Sequence, residues 1–353
     1  MRILLSYLLL SFGLQAASHS WFAIKVIDQD TGRGVPMVEL ETVNHIRHFT
    51  DSNGYVAFHE PGLMDREVFF HVRGHGYEFR KDRFGFHGVR LKTAPGTEKT
   101  IRVKRVNVAE RLYRITGAGI YRDSQLLGKP VPTKLPVLNG SVLGQDSVNA
   151  IPFMGRVHWF WGDSNRPGYP LGNFHTSGAT SLLPEDGGLD PAAGVDLTYF
   201  VNDRGFSQKM APLPGQGIVW IFGIVEVDDS LVGHFTRMKN LGTMLEHGLV
   251  RFDGERNEFE KLKAFDLDNR WATLKAHPVR YQAQGRDWFI IPQPLPNLRV
   301  AADLESIQDQ GAYEGFSCLL PGTKFDGKDS KLDRDANGNV VYAWKRGTQP
   351  TGP

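Results

Sequence analysis

No segment of this 353-residue chain carries a long apolar stripe with a 3.6-residue period. Its apolar residues fall in short runs of period two, separated by clusters of Gly, Pro, Asn and Asp, and that pattern predicts an all-β protein of short strands and tight turns. Gly 39 and Pro 20 together make up about 17% of the chain, against an average of roughly 12%, which agrees with many turns. A content of 23% charged and 11% aromatic residues excludes a disordered chain. Lys+Arg 41 against Asp+Glu 39 leaves a formal charge of +2, so nothing in the composition points to a nucleic-acid partner.

The N-terminus reads as a signal peptide over residues 1–18. Met1-Arg2 supplies the positive start, Ile3 to Leu14 the apolar core, and Ala16-Ala17-Ser18 the small residues for cleavage. The apolar run is too short to predict a membrane span, so a secreted or periplasmic protein is expected. Cys318 is the sole cysteine and cannot form an internal disulfide; it reads as a small buried hydrophobe.

Residues 21–105 predict an immunoglobulin-like sandwich. Phe22, Ile24 and Val26 alternate with Ala23, Lys25 and Ile27, and the stretch TDSNGYVAF reads as a hairpin whose Asn53-Gly54 tolerates positive φ. Residues 106–137 are read as a linker packed against the second domain, because Leu126, Leu127, Val131, Leu135 and Val137 need cover. The second domain, 138–353, is again a series of antiparallel hairpins. The run FAIKVIDQDTGRGVPMVELETVN followed by FTDSNGYVAF resembles the carboxypeptidase-regulatory or transthyretin-like β-sandwich of exported proteins. That resemblance implies an accessory module, so His71, His75 and His87 are expected at the surface or at strand edges rather than around a metal.

Within the second domain the stretch RVHWFWGDSNRPGYPLGNFH, Arg156 to His175, stands out. Its alternation puts Val157, Trp159 and Trp161 on one face of a strand that is expected to stop at Gly162-Asp163, where a polar cluster with Pro and Gly begins. A carboxylate and a guanidinium at a strand end, with aromatic rings nearby, suit a polyhydroxylated ligand.

The longer run VLGQDSVNAIPFMGRVHWFWGDSNRPGYPLGNFH resembles the first blade of secreted proteins related to the five-bladed β-propeller glycosidases, the group that contains arabinanases, xylosidases and fructosidases. The resemblance covers residues 138–260. It implies carboxylates converging on a central cavity: Asp146 or Asp163 from the first blade, Asp196 from the second, and Glu246 as general acid. Arg166, His175, Trp161 and His247 are the candidate substrate contacts, read from their residue types and places in the strand pattern. Each has a plainer alternative. Asp163 can shape a turn, Asp146 can cap one, Asp196 and the pair Glu246-His247 stand at strand starts, and Trp159, Trp161 and Trp220 can be core.

About three blades can be assembled from residues 138–353, whereas closed propellers have roughly 4 to 8. The expectation is therefore a propeller that another chain, or more of a longer protein, completes. Asp333 to Gly338 matches the first half of a calcium loop, but Trp344 stands where the bidentate Glu belongs, so no cofactor is expected there. The functional expectation is a glycoside hydrolase acting through paired carboxylates, with a non-catalytic glycan-binding or scaffold protein as the alternative.

Overall fold

A computed structural model of the chain describes residues 21–292, 295–325 and 327–350. The expected signal peptide lies outside the described residues. The chain divides into two compact units, one holding residues up to 114 together with 121–131, the other holding 115–120 and the chain from 132 onward. Both are built almost wholly of strands, as expected. The described residues include two α-helices of five residues each, α1 (Arg122–Leu126) and α2 (Leu304–Gln308).

The first unit contains β1 (Phe22–Asp28), β2 (Glu39–Thr42), β3 (Arg47–Phe49), β4 (Tyr55–Phe58), β5 (Glu67–Arg73), β6 (Tyr77–Glu78), β7 (Gly88–Lys92) and β8 (Glu98–Arg105). They form two four-stranded sheets, ordered β4-β1-β8-β6 and β3-β2-β5-β7. Phe22, Ile24 and Val26 of β1 and Ile101 and Val103 of β8 meet Leu40, Val68, Phe70 and Val72 of the opposite sheet in one apolar cluster. Period-two alternation thus delivers one row per strand to the space between the sheets. The turn in TDSNGYVAF falls where expected, but it does not close a hairpin: β3 pairs with β2 and β4 with β1, so the turn carries the chain from one sheet to the other. Gly54 has φ 80°, and the Asp51 carboxylate accepts the backbone N–H groups of Asn53 and Tyr55, both at 3.0 Å.

The linker differs from expectation. Residues 121–131 belong with the sandwich, because α1 is tied to it by two buried carboxylates. Asp123 accepts the Ala57 N–H of β4 at 2.8 Å, and Asp51 accepts the Ser124 N–H at 2.6 Å. A run of Leu and Val predicts that a segment is covered, not by which unit.

The second unit opens with β9 (Gly144–Phe153), β10 (Arg156–Arg166), β11 (Tyr169–Asn173), β12 (Ser177–Leu182) and β13 (Thr198–Tyr199) in one antiparallel sheet. A second sheet runs in chain order through β14 (Ile218–Val227), β15 (Ser230–Asn240), β16 (Thr243–Asp253) and β17 (Glu258–Ala264). A third joins β18 (Val279–Ala283), β19 (Arg286–Ile291), β20 (Leu298–Ala301), β21 (Glu314–Ser317) and β22 (Ala343–Arg346), again in order. These are three successive meanders, matching the three groups expected from the sequence.

The meanders pack face to face. Phe153 and Phe160 of the first share a cluster with Ile221, Phe235, Val250 and Phe259 of the second. Val225, Val232 and Leu249 of the second share another with Phe289, Ile291 and Val300 of the third. The remaining face of the first meander is covered locally, where Trp161, Ala179 and Tyr199 pack with Val142 and Leu197. Gly and Pro around the start of β11 read as loop in the sequence, β12 is not anticipated there, and Cys318, expected to be buried, is only half-buried.

Two histidines sit inside these packed faces. His158 packs edge-on against Phe153 and Phe252, and burial with the Arg156 charge pushes its pKa down to about 4. His234 is held down to about 3 by burial, His247 and Lys275. Well above pH 6.5 both are neutral whether the chain is folded or unfolded. Below it the unfolded chain takes up protons that the folded one refuses, so stability drops from about pH 6.5 down to about pH 3. For His158 the loss is on the order of 3 kcal/mol. Thermal melts across this range should therefore show Tm falling less steeply with acid in His158→Phe than in the unaltered protein. Parallel pH dependences would remove His158 from the acid response.

Candidate functional site

The polar cluster after Trp161 does not end the strand. β10 continues to Arg166, with Asp163 opposite Asp146, Ser164 opposite Gln145 and Asn165 opposite Gly144 on β9. The hairpin joining the two strands turns at Met154-Gly155, with φ of 49° and 69°, the paired positive values of a two-residue turn that matches strand twist.

The buried polar side chains of this segment are satisfied by one another. Gln145 donates to the hydroxyls of Ser164 and Ser177, each at 2.9 Å, those hydroxyls lie 2.8 Å apart, and Tyr199 donates to the Gln145 carbonyl at 2.8 Å. Ser164 and Ser177 are fully buried. With partners in place, polar residues stay in a strand that their composition alone would break.

An irregularity turns Asp163 over. Trp161 packs with Tyr199 on one face, and Ser164 reaches the same side through Gln145. Strict alternation would place Asp163 with Trp161. Instead the Gly162–Ser147 pair drops out of an otherwise continuous register, and Ser147 takes a left-handed φ of 53°. Asp163 then faces the second meander, where its carboxylate accepts the Trp220 indole N–H of β14 at 3.3 Å. The same N–H reaches the Phe174 carbonyl at 2.8 Å. Burial raises the Asp163 pKa, the Trp220 bond opposes that rise, and the charge of Asp146 adds to it.

His175 borders this corner. Its Nδ1 accepts the Val219 N–H at 3.2 Å, which leaves the ring proton on Nε2. Burial, reinforced by the charges of Lys209 and Arg237, lowers its pKa to about 4, so the ring is neutral near pH 7. Arg166 lies exposed at the end of β10, its stem against Gly172. Asp146, Asp163, His175 and Arg166 thus lie on β9, on β10 and on the segment leading into β12.

The other expected site residues are placed elsewhere. Asp196 accepts the Lys134 backbone N–H at 3.0 Å, and the Lys134 ammonium stands 3.4 Å from it. Glu246 on β16 is bound by Arg237 at 3.0 Å and by Lys261. Burial pushes the Glu246 pKa up, but the hydrogen bonds from Lys261 and Arg237 outweigh it and hold the group below its ordinary value. That is the opposite of what a general acid requires, and it corrects the expected role.

His247 is 1% exposed and cannot touch a ligand. Its Nε2 donates to the Asp266 carbonyl at 2.7 Å, so its Nδ1 accepts from His234 at 3.1 Å. Trp161 is also core, stacked on Trp159 at 6.3 Å and buried in the cluster around Tyr199. Asp335, in the half calcium motif, accepts the N–H groups of Asn337 and Asn339 and so closes a hairpin turn between the bridged residues Arg334 and Val340. Sequence reading overlooks Gln145 and Ser177, and it takes Trp220 for core; only contact across strands reveals what they do.

No protein-family model matches the chain, and no curated protein matches it. Among solved structures it is similar to a "putative hydrolase" from Bacteroides ovatus, with 12% identity and a TM-score of 0.29 over 58% of this chain. It is also similar to the Bacteroides ovatus protein Xyloglucan PUL GH43B, with 12% identity and a TM-score of 0.24 over 82% of this chain. The chain spans 54% of the length of each. At these scores neither likeness carries a fold or an activity to this chain.

The Asp163 environment can be tested by substitution. Asp146→Asn removes a neighbouring negative charge and should lower the Asp163 pKa, whereas Trp220→Phe removes a donor to the carboxylate and should raise it. Carboxyl carbon NMR titration reads both. Shifts of the same sign in the two variants would contradict this geometry.

Proposed function

We propose that the chain is an exported carbohydrate-active protein that hydrolyses glycosidic bonds at the Asp146–Asp163 corner of the first meander. The observation that carries this reading is the pairing of two carboxylates on adjacent strands, one with a raised pKa. Residues directly opposite in an antiparallel pair hold their Cβ atoms about 5 Å apart. That spacing suits two carboxyl groups sharing one glycosidic bond, roughly 5 Å apart in retaining enzymes.

In this reading Asp163 holds the proton. Its burial disfavours the charged form and keeps a proton available for the leaving-group oxygen, while the exposed carboxylate of Asp146 serves the opposite role at the sugar carbon. The Nε2–H of neutral His175 donates to a sugar hydroxyl, and the Arg166 fork binds a further oxygen at the rim. A step that needs protonated Asp163 weakens as pH rises through its raised pKa.

A second reading, a glycan-binding protein without hydrolysis, is favoured by one observation. Asp196 and Glu246, the carboxylates expected to complete a catalytic set, are bound up in ion pairs.

A depolymerisation screen on arabinan, xylan and fructan separates the two. Cleavage of one of them, lowered about 100-fold or more in kcat/KM by Asp163→Asn with Tm unchanged, is the expected result. Undiminished cleavage by Asp163→Asn would remove this residue from catalysis. Retention on an immobilised polysaccharide without cleavage would establish the second reading.

A further inference from the structure

The first unit carries its charge unevenly. Residues 78–105 hold nine Lys or Arg against Glu78, Asp82 and Glu98, an excess of six positive charges in a chain whose total is +2. Alternation along β8 buries Ile101 and Val103 and leaves Arg102 and Lys104 exposed. Arg90 and Arg105 pair with Glu67 and Asp28, whereas Arg80, Lys81, Arg83, Arg102 and Lys104 enter no ion pair among the described residues.

Beyond β6 the chain forms a hairpin closed by the Lys81–His87 bridge. The Asp82 carboxylate at its turn accepts the N–H groups of Phe84 and Phe86, at 2.8 and 3.0 Å, and Gly85 supplies a φ of 86°. This local bonding holds two aromatic residues out in water. Phe84 is 87% exposed and Phe86 53%. Next to the hairpin lies a groove of about 540 Å³ whose lining includes the apolar Phe79, Val89 and Ile101, with Arg80, Arg102 and Lys104 outnumbering the one carboxylate there, Glu78.

We propose that this hairpin and groove dock the first unit on an anionic lipid bilayer. Unpaired cations complement phosphate headgroups, and the protruding Phe84 finds in the acyl boundary the apolar phase that water denies it. An acidic polysaccharide would satisfy the cations alone. It offers no apolar phase to a lone ring standing at a hairpin tip, so the bilayer accounts for both features together.

The test is co-sedimentation of the full chain with extruded vesicles of phosphatidylcholine alone and of equimolar phosphatidylcholine and phosphatidylglycerol. Binding to the anionic vesicles only is expected, weakening as salt rises from about 0.1 to about 0.5 M. Phe84→Ser should reduce affinity about tenfold or more, the effect of leaving one Phe unburied. An Arg80→Gln, Arg102→Gln double variant should abolish the preference for anionic lipid. All three positions are exposed, and an unchanged melting curve checks the fold. Equal binding to neutral vesicles overturns the proposal, as does binding that persists in both variants and so arises elsewhere, for instance from the apolar run 3–14. Absence of vesicle binding, or binding that polygalacturonate displaces while Phe84→Ser leaves it unchanged, also overturns it.

Discussion

A sheet face that carries an apolar row must be covered, and the second unit depends on how its meanders meet that constraint. Between meanders the solution is apolar interdigitation of Phe, Val, Leu and Ile. On the first meander the outer face is closed by the chain itself, through Val142, Leu197 and Tyr199 around Trp161. The outer face of the third is finished differently. Arg299 lies 3.9 Å over the Trp288 ring and 4.6 Å over that of Trp344, and it grips Glu314 through Nε and Nη2 at 2.8 and 2.7 Å.

A sheet face awaiting another apolar sheet would present a row like Phe289 and Val300, which lie on the inner side of the same strands. Instead Trp288, Arg299 and Trp344 satisfy each other. Arg299 is 8% exposed, and a desolvated guanidinium with both a carboxylate and two ring faces has no polar group left wanting. The same face also carries Phe316, 41% exposed and packed against Trp344, so the stack covers one part of it and leaves an aromatic edge in water.

How much of this was legible depended on whether the deciding contact was local. The turns at Asn53-Gly54 and Met154-Gly155 are set by neighbouring residues and fall where the sequence places them. The strands flanking the first do not follow: β3 pairs with β2 and β4 with β1, distant in sequence, so the expected hairpin between β3 and β4 does not form. The end of β10 was misread because Gly162 to Arg166 looks like a loop until Gln145, Ser177 and Tyr199 are known to lie beside it. The site residues divide in the same way. Asp146 and Asp163 are alternatives for one role in the sequence, and only the extension of β9 and β10 sets them opposite each other. Glu246 was taken from a strand start, where nothing shows that Arg237 and Lys261 stand across from it.

The face switch at Gly162 links these two misreadings. Had β10 kept strict alternation, Asp163 would share the side of Trp161, away from the Trp220 indole. Its burial and its fixed donor both follow from the dropped Gly162–Ser147 pair and the left-handed Ser147. A non-glycine residue at positive φ costs free energy that the surrounding structure must supply. Here the surroundings are the buried Gln145–Ser164–Ser177–Tyr199 bonds immediately beyond it, which hold both strands in register past the irregularity. The network that keeps a polar segment in a strand is thus also what turns its one carboxylate toward the neighbouring sheet and raises its pKa.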